Sequence, residues 1–131
     1  MHKIAVKTTR REQVIDITSK VQEFLAKTGA RSGLMLVHSP HTTAGITVNE
    51  NADPDVKSDF LAHLGRMVPK DPSFDHSEGN SDAHIKGSLI NFSQSFIVEE
   101  GRLQLGTWQA IYFVELDGPR SREVWIKFLG S

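Results

Sequence analysis

Six histidines are the residues of this 131-residue chain best suited to chemistry. Imidazole changes charge near neutral pH, and its neutral form is the commonest protein metal ligand. With no cysteine present, disulfides, thiolate metal sites and cysteine nucleophiles are excluded. Position sorts the histidines. His2 lies at the terminus, where it faces solvent, and His63 follows Leu61 on a helical stretch as a solvated residue. His38 ends an apolar run and reads as a structural, hydrogen-bonded histidine. His41, His76 and His84 are left.

His41 lies in Ser39-Pro40-His41-Thr42-Thr43-Ala44. This is either a strand connection with ordinary Ser/Thr turn chemistry or a polar corner holding a metal or an anion. The run from His76 to His84 is richer, with Glu78, Asn80 and Asp82 between the two histidines. On one continuous helix those rings would sit about 12 Å apart along the axis, too far to share an ion. Gly79-Asn80-Ser81 argues against such a helix. The expectation is therefore His76 on a loop that folds back, and His84 in the first turn of a helix. Free N–H groups at that helix start suit a phosphate oxygen. Three histidines with an open position are a pattern for catalytic zinc, although no standard metal spacing such as His-Glu-x-x-His occurs. Loop polarity without a ligand is the ordinary alternative. Asn49-Glu50-Asn51 either reaches the same corner or helps cap the following helix. Trp108 reads as a core residue, and Gln109, on the opposite strand face, is the better site contact.

The elements that must position these groups follow from periodicity and turn residues. Ile4 and Val6 share one face of an opening strand, with Lys3 and Lys7 on the other. A short strand fits Gln13–Thr18, and Ser19 with Gln22 reads as the capping box of a first helix that Gly29 ends. Gly33–His38 reads as a buried strand and Gly45–Asn51 as the next. Asp53-Pro54 opens a second helix with Val56, Phe60, Leu64 and Met67 as its buried stripe. Pro69–Asn80 is a long loop, a length often tied to function. Ser81 caps a third helix over Asp82–Ile90. Strands are expected over Ser95–Glu99, Arg102–Leu105, Trp108–Leu116 and Arg122–Leu129, the last two joined as a hairpin by Asp117-Gly118-Pro119-Arg120. Ala110–Val114 is apolar on both faces, which predicts a central strand.

The fold class this predicts is α+β: one domain over residues 1–131, a mainly antiparallel β-sandwich with about three helices. A 38% hydrophobic and 24% charged composition excludes disorder as the main state. A formal net charge of −1 gives no general pull toward nucleic acid or anionic membrane. No apolar run approaches the roughly 20 residues of a spanning helix. The opening residues lack a signal-peptide core, so a cytoplasmic location is expected. There is no Gly-rich phosphate loop and no Asp-rich magnesium motif.

Several of these segments together resemble the YjbQ family. They are His41-Thr42-Thr43-Ala44, Asn49-Glu50-Asn51, His76…Asn80-Ser81-Asp82-Ala83-His84, Leu105-Gly106-Thr107-Trp108-Gln109 and Glu115-Leu116-Asp117-Gly118-Pro119-Arg120. The resemblance runs in order over nearly the whole chain. It implies a compact α+β sandwich, a homotrimer, and a secondary thiamine-phosphate synthase activity. That reaction joins hydroxymethylpyrimidine pyrophosphate to thiazole phosphate and releases pyrophosphate. Carried onto this chain, the polar pocket falls on His41, His76 and His84, surrounded by Thr42, Asn49, Asn80, Asp82 and Gln109. In that reading the three histidines hold a divalent metal, zinc first, or bind phosphate directly. His41, His84 and Asp82 are the catalytic candidates, and Thr42, Asn49, Asn80 and Gln109 contact a phosphorylated small molecule. His38 matches no family histidine. The alternative is a trimer that binds a metal or phosphometabolite without turning it over.

Overall fold

The computed structural model describes all residues, Met1–Ser131. In chain order the elements are β1 (His2–Lys7), β2 (Gln13–Asp16), α1 (Thr18–Thr28), β3 (Gly33–His38), β4 (Ala44–Glu50), α2 (Pro54–Met67), α3 (Ser81–Ile90), β5 (Ser93–Glu99), β6 (Arg102–Leu103), β7 (Gln109–Glu115) and β8 (Ser121–Gly130). They form two antiparallel sheets, one ordered β1-β8-β3-β5-β6 and the other β2-β7-β4.

The alternating residues of each strand explain why the sheets face one another. Ile4, Val6, Met35, Val37, Phe96, Val98, Val124 and Ile126 from the five-stranded sheet meet Ala44, Ile46, Ile111 and Phe113 from the smaller one. Ile17, Val21 and Leu25, at the start of and along α1, close that core. Apart from Ala44, each such side chain contributes about 1.5–3 kcal/mol on full burial. β7 is the central strand of its sheet and is buried on both faces, as its apolar run predicts. Its other face presents Ala110, Tyr112 and Val114 to Leu64 of α2 and Ala83 of α3, forming a second cluster. The smaller sheet is thus a middle layer, with helices behind it.

Several boundaries differ from the sequence expectation, each for a local reason. Ser19 is not the cap of α1. The helix begins two residues earlier than that cap would place it, with Ile17 in the cap position, and the Asp16 carboxylate accepts from the Thr18 amide (2.9 Å) and hydroxyl (2.6 Å). Gln22 instead reaches across to Gly101 and Leu103. Gly29 does end α1, in a left-handed conformation. Asp53 caps α2 as expected, accepting from the Asp55 amide. Met67, placed on the buried stripe, is exposed because only the stretch around Leu64 reaches the sheet. α3 starts at Ser81, with Asn80 rather than Ser81 in the cap position.

Two corrections alter the topology. β3 is buried on one face only: Met35 and Val37 point inward, while Leu34 and Leu36 are exposed on the outer face of the sheet. Asp117–Arg120 is not a hairpin, since β7 and β8 belong to different sheets. The turn carries the chain from one layer to the other, and that crossing brings Glu115 and Arg122 together at one end of the sandwich. Trp108 is also exposed, at 62%, because it precedes β7 instead of lying within it.

Candidate functional site

The site gathers at the end of the sandwich where β3 gives way to β4. Ser39 shapes that turn: its amide donates to Phe92 O (2.7 Å) and its hydroxyl to Ala44 O (2.6 Å). Gly45 lets α3 close in behind, since a Cβ there would lie 2.5 Å from Asn91 O. His76 returns to the same place through a turn in which the Gly79 amide donates to His76 O, with Gly79 at φ 73°. The His76 and His84 rings meet edge to face, with centroids 5.2 Å apart. The loop does fold back.

Beneath these groups lies a buried ion pair. Arg122 Nε donates to Glu115 Oε1 at 2.8 Å, and Arg122 Nη2 to Glu115 Oε2 and to the Thr43 hydroxyl (2.9 Å). Glu115 also accepts from the Thr8 hydroxyl and from the amides of Leu116 and Asp117. Burial alone would raise its pKa, but the Arg122 and Thr8 bonds outweigh it and hold the carboxyl below its ordinary value. The neighbouring turn is tied down likewise: Arg120 donates to Asp117 O and Oδ2, and Asn80 Nδ2 to Asp117 Oδ2 (2.8 Å).

The result is a cleft of about 430 Å³ with no hydrophobic lining residue apart from the ring of Pro40. His41, Thr42 and Thr43 from the turn after β3, His76, Glu78, Asn80 and His84 from the loop and start of α3, and Arg120 and Arg122 from the start of β8 and the turn before it line this cleft. His41 is fixed by a single contact, the Glu123 amide donating to Nε2 at 2.9 Å. A backbone N–H can only donate, so the neutral ring carries its proton on Nδ1. Burial, then the nearby Arg122 charge, hold the His41 pKa below its ordinary value.

Of the residues singled out in the sequence, His41, Thr42, His76, Asn80 and His84 converge on this cleft. Asp82 does not line it. Its carboxylate is 1% exposed and accepts from Arg11 (3.1 and 3.2 Å) and Lys86 (3.3 Å), while Lys86 also reaches Glu12 at 2.8 Å. Asp82 therefore anchors α3 to the β1–β2 connection. Asn49 and Gln109 also fall elsewhere. Ala44 pairs with Glu115 at the cleft end, but Asn49 pairs with Ala110, about 17 Å further along at some 3.3 Å per residue. Asn49 borders a small recess beside Tyr112, and the Gln109 side chain accepts from the Gly106 amide. Asn51 accepts from the Tyr112 hydroxyl at that same far end. His38 is structural as expected, bonded to Ser93 and packed near Trp125. His63 is exposed beside Arg66, and His2 is exposed but stacks on Phe24.

Arg122 and Glu115 were missed by sequence reasoning. The available signal was phase: Arg122 alternates with Val124 and Ile126, which places a guanidinium on the buried face of β8.

A three-histidine metal site requires three lone pairs aimed at one point. The Nε2 lone pair of His41 is already used, and no three His, Cys, Asp or Glu side chains are arranged to hold an ion. As they stand, the residues do not fit such a centre. Two arginines, two threonine hydroxyls and the His41 Nδ1–H are hydrogen-bond donors, which suits an oxyanion, and Glu78 is the one carboxylate in the lining.

A two-sheet α+β sandwich with a histidine- and arginine-lined cleft at one end is the class of protein that this fold and site define. Within it the chain belongs to the family described as UPF0047 protein YjbQ-like, whose pattern matches residues 2–131. It is 55% identical over 128 residues to the UPF0047 protein YugU of Bacillus subtilis, covering 97% of each chain. A UPF0047 protein of Methanocaldococcus jannaschii is 48% identical, over 100% of this chain and 95% of that one. The fold matches a crystal structure of a YjbQ/UPF0047 protein from Clostridium acetobutylicum with a TM-score of 0.96 at 50% identity, covering 98% of this chain and 100% of that one.

Proposed function

We propose that the cleft binds the phosphoryl or pyrophosphoryl group of a small metabolite, and that the chain catalyses transfer chemistry of the thiamine-phosphate synthase type. The observation that carries the binding half is the donor character of the cleft, above all the forced Nδ1–H of His41 beside Arg122. In the transfer, thiazole phosphate attacks hydroxymethylpyrimidine pyrophosphate and pyrophosphate departs. Fixed donors aimed at the departing group stabilise the charge it gains. Arg122 is held by Glu115 and Arg120 by Asp117, so neither needs to reorganise. The named reaction rests on the family resemblance; the donor set supports its leaving group.

Titration calorimetry with inorganic pyrophosphate tests the binding half. Charge-assisted bonds contribute about 1.5–3 kcal/mol, so Arg120→Ala should weaken binding roughly 10- to 100-fold. Absence of pyrophosphate binding by the wild type would overturn the reading. His84→Ala separates enzyme from binding module: turnover of the two thiamine precursors lost with pyrophosphate binding intact indicates catalysis. If the wild type binds pyrophosphate but turns nothing over, the non-catalytic alternative holds.

The second reading is a divalent metal, with zinc the first choice. The His76–His84 pair favours it, although His41 would have to give up the Glu123 amide to join them. Elemental analysis of tag-free wild type against a His41→Ala/His84→Ala double variant decides it. Near-stoichiometric zinc lost in the variant supports a metal, and none in either rejects it. The homotrimer is likewise our proposal, supported by the resemblance and by the exposed Leu34, Leu36, Ile97 and Leu129 on the outer sheet face. Light scattering tests it, a monomer in solution being the contrary result.

A further inference from the structure

The cleft lining divides by chemistry. Arg122 is its fixed cation: the residue is 6% exposed, and its Nε and Nη2 are committed to Glu115 and Thr43. Nη1 has no protein partner, yet it is not sealed off, since the one buried side-chain atom without a partner is Asn80 Oδ1. Nη1 is therefore the nitrogen that Arg122 offers the cleft it lines. With Arg120, the Thr42 hydroxyl and His41 Nδ1–H it makes a donor set for one phosphoryl group.

The segment from His76 to His84 brings the opposite character. Glu78 is a carboxylate with a 69% exposed side chain, and its approach to His76 Nε2, at 3.8 Å, is too long for a hydrogen bond. The His76 and His84 rings pack edge to face, and neither is hydrogen-bonded within the chain. A neutral imidazole has one acceptor nitrogen and one N–H. The acceptors of Glu78 and of both rings are thus unspent, and a fully ionised phosphoryl group, itself an acceptor, cannot use them. Pro40 supplies the only apolar surface in the lining. Aromatic and aliphatic bodies are ordinarily held against such surface, which is why small-molecule sites are mostly apolar. A hydroxyl needs none, and it both donates and accepts. Resting on the oxyanion reading above, we propose that the preferred ligand is a phosphorylated polyol or sugar. Arg120 and Arg122 bind its phosphoryl group, and its hydroxyls donate to Glu78 and to the His76 and His84 rings. Heterocyclic phosphates, the thiamine precursors among them, are then the poorer ligands, which accords with a thiamine-type activity that is secondary.

Calorimetric titration with α-glycerol phosphate, propyl phosphate and phenyl phosphate tests this. All three are dianions at about pH 8, and the first two differ only by hydroxyls. A hydrogen bond to a charged acceptor counts for roughly 10- to 100-fold, and Glu78 is partly solvated, so glycerol phosphate should bind about 10-fold more tightly than either of the others. Glu78→Ala removes an acceptor and a like charge together. It should bind propyl phosphate more tightly than the wild type does and glycerol phosphate less tightly, whereas damage to the fold would weaken both alike. Glu78→Gln keeps an acceptor oxygen and should retain part of the preference. Equal binding of glycerol and propyl phosphate by the wild type, or phenyl phosphate binding as tightly as glycerol phosphate, overturns the inference and leaves the oxyanion reading in place. So does a preference that is unchanged in Glu78→Ala. If no monoester binds, pyrophosphate separates the two: its binding spares the oxyanion reading alone, and its failure to bind overturns both.

Discussion

The amide of Glu123 donates to Nε2 of His41 across 2.9 Å, from the start of β8 to the turn after β3. That bond settles the tautomer of His41. It also turns the group's open side from an acceptor into a donor.

Long-range nitrogen–proton correlation spectra should therefore show neutral His41 as the Nδ1–H form; an Nε2–H signature would refute the assignment. Its folded pKa is depressed below 6.5, so the unfolded chain binds a proton first as pH falls. His41 thus contributes stability that is full above pH 6.5 and lost as pH falls through the folded value. Denaturant melts of wild type and His41→Gln across that window should converge at low pH.

Glu115 anchors Arg122 without exposure of its own. Glu115→Gln leaves a buried guanidinium without its counter-charge and should cost about 3–5 kcal/mol, read from urea unfolding. Because its folded pKa is lowered, the wild-type carboxylate contributes stability above pH 4.5 that disappears as pH falls through the folded value. The variant should lose less stability than the wild type over that acid range. Parallel acid curves would contradict the pair's role.

Asp82 is placed to hold α3. Burial pushes its pKa up, but the bonds from Arg11 and Lys86 outweigh this and keep it ionised. Asp82→Asn should destabilise by about 3 kcal/mol, since Lys86 is then buried with one carboxylate fewer. At a temperature where the variant is fully folded, pyrophosphate binding should stay within about twofold of wild type. A large binding loss in a stable variant would return Asp82 to the site.

Gly45→Ala tests the approach of α3 to β4. The new methyl would meet Asn91 O at 2.5 Å and Ile90 Cγ2 at 3.1 Å. Overpacking of this kind costs about 1–3 kcal/mol. Thermal melting gives the answer, and an unchanged midpoint would mean that α3 sits further away.

Local order along the chain carried much of this. Alternation placed Ile4 and Val6 inward and marked Ala110–Val114 as a strand covered on both faces. Asp53-Pro54 and Gly29 marked helix ends because capping is a matter of a few adjacent residues. The glycine and asparagine after His76 were enough to predict that His76 and His84 could meet. What periodicity cannot show is which strands pair and which ends coincide. Asn49 and Gln109 carry the right chemistry but lie at the far end of the smaller sheet, a consequence of antiparallel register. Asp82 has the type and spacing of a site residue, yet the packing of α3 turns it toward Arg11 and Lys86. Glu115 and Arg122 sit seven residues apart across a turn that changes sheets, so their pairing exists only once the two layers face each other. The sequence by itself determined the elements and the histidine-rich segments, because those depend on short-range sterics and side-chain alternation. Tertiary structure decided which polar groups share the cleft, because that depends on register, layer crossing and the partners that burial forces each charge to find.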